Sequence, residues 1–410
     1  SRSVPLSPET PLAAMALPPQ LLALIRSARA AGVEIDENDP EQVMRFLQML
    51  QAGQEQQPEP PERTPDPVLS TFDVKGVAEH IKQGKARHII VMVGAGLSTA
   101  AGIPDFRTPG TGLYDNLQKY DLPRPEAIFT LDYFRERPGA FYELAREMWP
   151  GNYAPTKAHY FIKLLEEKGL LLRCFSQNID SLEELAGVSP ERIMAAHGNF
   201  SSAHGLDTGE EVPVEEVKAA VMRGEEGWKE MTARRGTLVK PDIVFFGEGL
   251  PERFGTLVNE DFPKCDLLIV MGTSLVVAPF CNCITFVERD CPRLLVNREP
   301  AGLDAAGRGR YMQGRMRMGF RIGEEFQDRN WRDAFYEGDC DEGVEALCAE
   351  LGWEQDLERI MADGLRALRG EPAKAQDSEV LQEEVITPRA TFFGRLVTRI
   401  SQLCSPRSSL

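Results

Sequence analysis

His88-Ile89-Ile90-Val91-Met92-Val93-Gly94-Ala95-Gly96-Leu97-Ser98-Thr99 passes from a β-branched apolar run directly into a Gly-x-Gly turn. The run is short and continuous rather than alternating, as expected of a strand buried on both faces of a parallel sheet. Glycines at its end let the backbone turn tightly and approach a pyrophosphate, whose charge is stabilised by helix N-terminal amides. Taken alone, the dipeptide reads equally as a tight turn with no ligand. The third glycine of a dinucleotide fingerprint is missing, since Gly102 comes too late, and this disfavours an ordinary hydride-transferring dehydrogenase. Walker A chemistry is excluded, because no Gly-Lys-Ser/Thr follows.

Four further apolar runs repeat the pattern: Leu170 to Phe175, Arg192 to Ala195, Asp266 to Met271 and Arg293 to Val296. Helical patterns separate several of them, such as Thr156 to Lys168. Buried strands alternating with helices predict an α/β fold with a doubly wound parallel sheet. Each run ends in small or polar groups: Ser176-Gln177-Asn178-Ile179-Asp180, His197-Gly198, Gly272-Thr273-Ser274 and Asn297-Arg298-Glu299. Ligands of such sheets sit beyond the carboxyl ends of the strands, so these ends predict one assembled site. A lone His at a strand end is usually structural. At the mouth of a nucleotide crevice, His197 could take a proton from a ribose hydroxyl.

The 410 residues predict two to three domains, at roughly 100–200 residues each. Residues 1–52 form a helical extension, with Leu21, Leu22, Leu24 and Ile25 in one pattern and Val43, Phe46, Leu47 and Leu50 in another. Residues 53–69, rich in Pro, Gln and Glu, read as a linker. The main domain spans 70–368. The tail, 369–410, is acidic and then basic, and Phe392, Phe393, Leu396, Val397, Ile400 and Leu403 give its end an amphipathic helical pattern. That pattern suits a membrane surface or a partner groove, and equally a tail with transient helicity. Residues 307–321 alternate Arg with Met and Phe, and read as a solvated loop or a basic surface for an acidic partner.

Lys plus Arg number 46 against 63 Asp plus Glu, a net charge of −17, which argues against direct nucleic-acid binding. No apolar run approaches the roughly 18 residues of a spanning helix. The eight cysteines lie mostly in apolar segments, the habit of reduced thiols in the cytoplasm or the nucleus. Cys281-Asn282-Cys283 has no companion pair and reads as structural.

Together the motifs resemble the sirtuins, the NAD-dependent protein lysine deacylases. They are Gly94 to Ser98, Gly102-Ile103-Pro104-Asp105-Phe106-Arg107, Gln177 to Asp180, His197-Gly198, Pro241 to Glu248, Gly272 to Ser274 and Asn297-x-Glu299. The resemblance covers about residues 73–353, and Thr111 to Leu117 looks most like the class I branch. It implies a Rossmann-like NAD domain with a smaller inserted domain, including about 198–240. It further implies that Gly94, Ala95, Gly96, Leu97, Ser98 and Thr99 line the diphosphate, and that Asp105, Phe106 and Arg107 form a mobile cofactor loop. Gln177 and Asn178 would meet the nicotinamide-side ribose, with Ile179 beside them and Asp180 on the carboxamide. Gly272, Thr273, Ser274, Asn297, Arg298, Glu299 and Cys340 would surround the adenosine half. His197, with Asn178, would be catalytic, and Val244, Phe245, Phe246 and Gly247 would flank the acyl-lysine of a protein substrate.

One departure stands out. Sirtuins usually hold a structural zinc with two Cys pairs in the small domain, yet residues 198–240 contain no Cys. Gly205, Glu210, Thr232 and Arg235 stand at those positions, and neither Gly nor Arg offers a metal ligand. His204, Asp207 and Glu210 would make at best an improvised site, so zinc is not expected. Val214, Val217, Val221 and Trp228 are expected to compensate by packing. The resemblance implies NAD-dependent deacylation. A mono-ADP-ribosyltransferase and a catalytically weak NAD-binding scaffold remain as alternatives.

Overall fold

The computed structural model describes residues 64–103, 122–304 and 319–371. The expected helices of residues 1–52, most of the 53–69 linker, the basic stretch 307–318 and the tail beyond 371 lie outside the described residues. So do Asp105, Phe106, Arg107 and the stretch Thr111 to Leu117.

The strands are β1 (Ile89–Val93), β2 (Leu171–Ser176), β3 (Ile193–Ala195), β4 (Gly198–Gly205), β5 (Val239–Ile243), β6 (Leu267–Met271), β7 (Arg293–Asn297) and β8 (Asp333–Glu337). The α-helices are α1 (Val74–Lys82), α2 (Leu131–Glu136), α3 (Pro138–Met148), α4 (Lys157–Glu167), α5 (Leu182–Leu185), α6 (Val214–Met222), α7 (Glu225–Arg235), α8 (Glu252–Asp261), α9 (Cys340–Leu351) and α10 (Glu354–Leu368). The five apolar runs become β1, β2, β3, β6 and β7, as their composition predicts. Sheet order is β3-β2-β1-β6-β7-β8, with a separate pair of β4 and β5. With β4 and β5 set aside, this is the doubly wound order of dinucleotide-binding folds.

Two compact units divide the chain, one comprising residues up to Gly96 and Glu252–Leu351, the other Leu97–Pro251 and residues from Gly352. In the first, β1 pairs in parallel with β6, β6 with β7, and β7 with β8. Every residue of β1 and β6 is buried, which is why both read as unbroken apolar runs. Asp73 caps α1 by accepting the Gly76 N–H at 3.0 Å, and Val77, Ala78 and Ile81 are buried. Packing begins ahead of Ser70: the Val68 N–H donates to Trp331 O at 2.7 Å, and Leu69 is buried.

The strand β8 has no counterpart among the runs legible in the sequence, because only Ala334, Phe335 and Tyr336 are apolar between its acidic ends. Its register is fixed by a buried ion pair. Arg293 and Asp333 are direct partners at the start of β7 and β8, and both side chains are 1% exposed. The guanidinium donates to both carboxylate oxygens, at 2.6 and 2.7 Å. It also donates to the carbonyls of Ile284 at 2.9 Å and Gly319 at 2.8 Å. A buried charge is tolerated only when met in this way.

In the second unit, β2 pairs in parallel with β3, and α10 packs on α4. The antiparallel β4 and β5 combine with α2, α3, α6 and α7 around an aromatic core. Phe134 meets Phe141, Tyr142 and Phe245 edge-on or tilted at ring distances of 5.4, 5.4 and 5.7 Å. Trp228 stacks on Tyr142 at 5.2 Å, and Val217 and Val221 are buried, in keeping with the packing expected of them. Gly198 starts β4 at φ +68°, where a Cβ would stand 1.7 Å from Asp242 O. Only glycine lets the chain leave His197 in this direction.

The Arg293–Asp333 pair generates a stability prediction. Asp333→Asn leaves a buried guanidinium without its counter-charge and should lower unfolding free energy by about 3–5 kcal/mol. The double variant Arg293→Met/Asp333→Leu should lose much less. Denaturant midpoints check this, and a loss under about 1 kcal/mol in Asp333→Asn would contradict it.

Candidate active site

In the first unit, functional positions gather at the carboxyl ends of parallel strands. After β1, the Gly94 N–H donates to Met271 O at 3.2 Å, and the Gly96 N–H to Gly272 O at 2.8 Å. A Cβ on Gly96 would lie 2.8 Å from Gly272 Cα, so the two backbones approach as only glycine allows. Beyond β6, Thr273 is buried, its hydroxyl accepting the Leu275 N–H at 3.2 Å, while Ser274 is exposed. Beyond β7, Asn297 Nδ2 donates to Glu299 O at 2.8 Å, and Arg298 pairs with Asp339. The Gly338 N–H reaches Asn297 O at 3.0 Å, which places Cys340, the first residue of α9, behind the end of β8. Burial, and then Asp341 and Asp339, push the Cys340 thiol up to about 12, so it is a neutral group and no nucleophile. Hydroxyl, amide and carboxylate groups on strand ends beside a glycine-lined turn suit a ribose and a diphosphate.

In the second unit, the turn after β1 and the loop after β2 share a buried polar knot. Ser98 Oγ donates to Asp180 Oδ2 at 2.6 Å and accepts from Asn178 Nδ2 at 3.2 Å. Asp180 Oδ1 accepts the Leu182 N–H at 3.0 Å, and the Asn178 N–H donates to Ser176 Oγ at 3.1 Å. Ser98, Asn178 and Asp180 are all buried. Ser181, next in line, holds φ +60°, an uncommon conformation for a residue with a side chain, of the kind that clusters at functional sites.

His197 follows β3, whose end is tied to β2 by the Ala196 N–H donating to Ser176 O at 2.8 Å. Its Nδ1 lies 2.8 Å from Gln177 O. A carbonyl can only accept, so Nδ1 carries the proton and Nε2 keeps its lone pair. Burial lowers the His197 pKa, opposed by the bond to Gln177, and the ring is thereby kept neutral and basic at Nε2. This is the protonation state a general base requires.

The stretch from Val244 to Gly247 divides in two. Phe245 is buried in the aromatic core, whereas Phe246 is 49% exposed. The Val244 N–H donates to His197 O and the Phe246 N–H to Phe129 O, each at 2.8 Å. Two residues fasten this loop: Lys240, which the sequence did not single out, and Glu248, the end of the Pro241 to Glu248 motif, to which no role was assigned. Lys240 Nζ donates to Ile243 O at 2.6 Å and lies 3.2 Å from Glu248 Oε2, which itself accepts the Phe245 N–H at 2.6 Å. The available signal was a lone Lys in the otherwise apolar start of β5.

The four positions that the resemblance would assign to zinc ligands are otherwise engaged. The Gly205 N–H donates to Glu210 O at 2.8 Å, and a Cβ there would meet Thr208 Oγ1 at 2.4 Å. Thr232 donates to Trp228 O, and Arg235 pairs with Glu210 at 3.2 Å and with Glu216 at 2.5 Å. These four residues do not fit a metal. His204, Asp207 and Glu210 each have a different partner, namely Asp242, Arg135 and Arg235. The group of metal-capable side chains found among the described residues is elsewhere: His159, Asp180 and Glu183.

A profile of the Sir2 family matches residues 94–279. The chain is 47% identical over 320 residues to the NAD-dependent protein deacetylase sirtuin-2 of Danio rerio, covering 77% of this chain and 82% of that protein. It is 44% identical over 304 residues to the NAD-dependent protein deacetylase hst2 of Schizosaccharomyces pombe, covering 74% and 84%. With the NAD-dependent protein deacetylase sirtuin-3 of Mus musculus it shares 42% over 290 residues, covering 71% and 79%. With a polar knot and a neutral histidine at its strand ends, this chain belongs to the Sir2 family.

Proposed function

We propose that this chain is an NAD-dependent protein lysine deacylase, and that the observation carrying the reading is the tautomer of His197. NAD supplies a ribose carbon able to accept the acyl oxygen, with nicotinamide as leaving group. His197 Nε2 would take a proton from a ribose hydroxyl of the bound cofactor, readying that oxygen for the acyl carbon, and Gln177 O holds the ring in the tautomer this requires. Asn178 and Asp180 present a fixed amide and carboxylate to the nicotinamide side, while Ile179 is buried beside them. Leu97, Ser98 and Thr99, with Gly94 to Gly96, serve the diphosphate; Gly272 to Ser274, Asn297, Arg298, Glu299 and Cys340 serve the adenosine half. Asp105, Phe106 and Arg107 remain assigned to the cofactor loop by family resemblance.

The substrate is an acylated lysine on a protein. Exposed Phe246 and Gly247, rather than buried Phe245, offer the surface for the substrate chain, which docks by adding to the backbone there. The net charge of −17 supports a protein substrate over a nucleic acid. Cytoplasmic residence, with the nucleus second, is supported by cysteines that no disulfide joins among the described residues. None of the described helices is long and apolar enough to cross a membrane.

We further propose that the small domain works without zinc. A structural zinc contributes about 10–16 kcal/mol of apparent binding free energy. The partly exposed Arg235–Glu216 pair contributes far less. The aromatic core around Phe134, Phe141, Tyr142 and Trp228 is therefore what holds the domain together.

Two measurements test these readings. With an acetyl-lysine peptide and NAD, His197→Tyr should reduce turnover by about 10²–10⁴-fold while the protein stays folded. Near-wild-type turnover would defeat the assignment. Elemental analysis after exhaustive dialysis should find far less than one zinc per chain, and chelators should leave the melting temperature unchanged. Stoichiometric zinc would overturn the zinc-free reading.

A further inference from the structure

Beneath the polar knot lies a second layer that none of the roles above uses. A ring nitrogen of His159 and one carboxylate oxygen each of Asp180 and Glu183 lie within 4.8 Å of one another, and all three side chains are buried. His159 is the third residue of α4 and doubles as its cap: the Thr156 N–H donates to His159 Nδ1 at 3.1 Å. An N–H can only donate, so Nδ1 is an acceptor and the proton of the neutral ring sits on Nε2. Burial lowers the His159 pKa to about 3, so the ring stays neutral. Nε2 and Glu183 Oε1 are both buried and have no hydrogen-bond partner. A nitrogen that carries a proton is no metal ligand, so this cluster is an arrangement of protons rather than a cation site.

Two buried carboxylates this close resist ionising together, so the pair holds one proton until the pH reaches its upper titration step. Its location follows from the partners. Burial raises the Asp180 carboxyl, but it accepts from Ser98 Oγ and from the Leu182 N–H, both of which favour its charged form and oppose that rise. Glu183 has one oxygen on Ser176 and the other unpartnered. We propose that His159 and Glu183 are positioning residues for Asp180: Glu183 is a neutral acid, His159 is a neutral ring whose unpaired Nε2–H lies in the same buried cluster, and together they keep a single negative charge on Asp180 beside Asn178. Burial, and then Asp180, push the Glu183 carboxyl up to about 7. The other titratable neighbours are Glu184, whose charge raises it further, and Cys174, itself pushed up by burial and by Glu183.

The consequence is a pH dependence of cofactor affinity. The inference rests on the NAD-dependent reading, because Asp180 is assigned there to the nicotinamide side. Below about pH 7 the knot carries one negative charge. As pH rises through that value Glu183 ionises, and a second charge enters a buried pocket arranged for one. If only the singly charged form binds, the apparent Kd for NAD rises roughly tenfold between about pH 6 and pH 8.

The test is NAD binding to the full chain by calorimetry across this range, which does not depend on turnover. Wild type should show the rise, and Glu183→Gln, which can carry no charge, should hold its Kd constant within about twofold. His159→Asn keeps an acceptor for the Thr156 N–H but removes the Nε2–H dipole from the cluster, and should weaken binding severalfold. His159→Gln restores an N–H at similar reach and should recover most of that loss. Infrared spectra of the NAD-free protein should show a neutral-carboxyl band that titrates near pH 7 and is missing in Glu183→Gln. A pH-independent Kd in wild type, or an unaltered pH profile in Glu183→Gln, overturns this inference alone. Wild-type protein that binds no NAD at any pH defeats the deacylase reading itself.

Discussion

A buried carboxylate demands hydrogen bonds, and the way Asp180 receives them organises the second unit. Ser98 Oγ gives its proton to Asp180 and takes one from Asn178, so one hydroxyl joins the turn after β1 to the loop after β2. Thr156 adds a third element: its hydroxyl lies 2.8 Å from His159 Nδ1 and 3.2 Å from Leu97 O, while its N–H caps α4 through the same Nδ1. Three segments far apart in sequence therefore meet in buried polar contacts, with Asp180 as the charge that the first two satisfy. His197 is placed by the same economy, since Gln177, one residue before Asn178, supplies the carbonyl that sets its tautomer.

The rest of the fold shows which forces are needed where. The first unit is secured by apolar strands, and the deeply buried Arg293–Asp333 pair aligns β7 with β8 at the end of the strands away from the functional groups. Arg293 is fully engaged there by Asp333 and two carbonyls, which is what makes so buried a charge tolerable. The small domain is packed by edge-to-face aromatic contacts, in which the load is shared among several rings.

Much of this was legible in the sequence, for reasons that differ by element. The strands β1, β6 and β7 are buried on both faces, so their apolar runs are long enough to read directly. By contrast, β8 is marked by a charged residue whose partner lies forty positions away, and β5 contains a Pro and a Lys that argue locally against a strand. Strand ends carrying Asn178, Asp180 and His197 stood out because polar groups directly after buried runs have little structural reason to be there. Phe245 and Phe246 could not be told apart, since adjacent positions face opposite ways only once the backbone is known. Glu183 and His159 escaped for a related reason: in a Leu-Glu-Glu-Leu helix and an amphipathic helix they look like ordinary surface residues. Only their burial sets them apart.

The central claim is that activated ribose is captured by the acyl group of a lysine, with His197 as the base. The most direct measurement is the stoichiometry of products formed from an acetyl-lysine peptide and NAD. Nicotinamide, free-lysine peptide and acetyl-ADP-ribose should appear in equal amounts throughout the time course. Nicotinamide released with the peptide still acetylated, together with ADP-ribose attached to protein, would contradict the account.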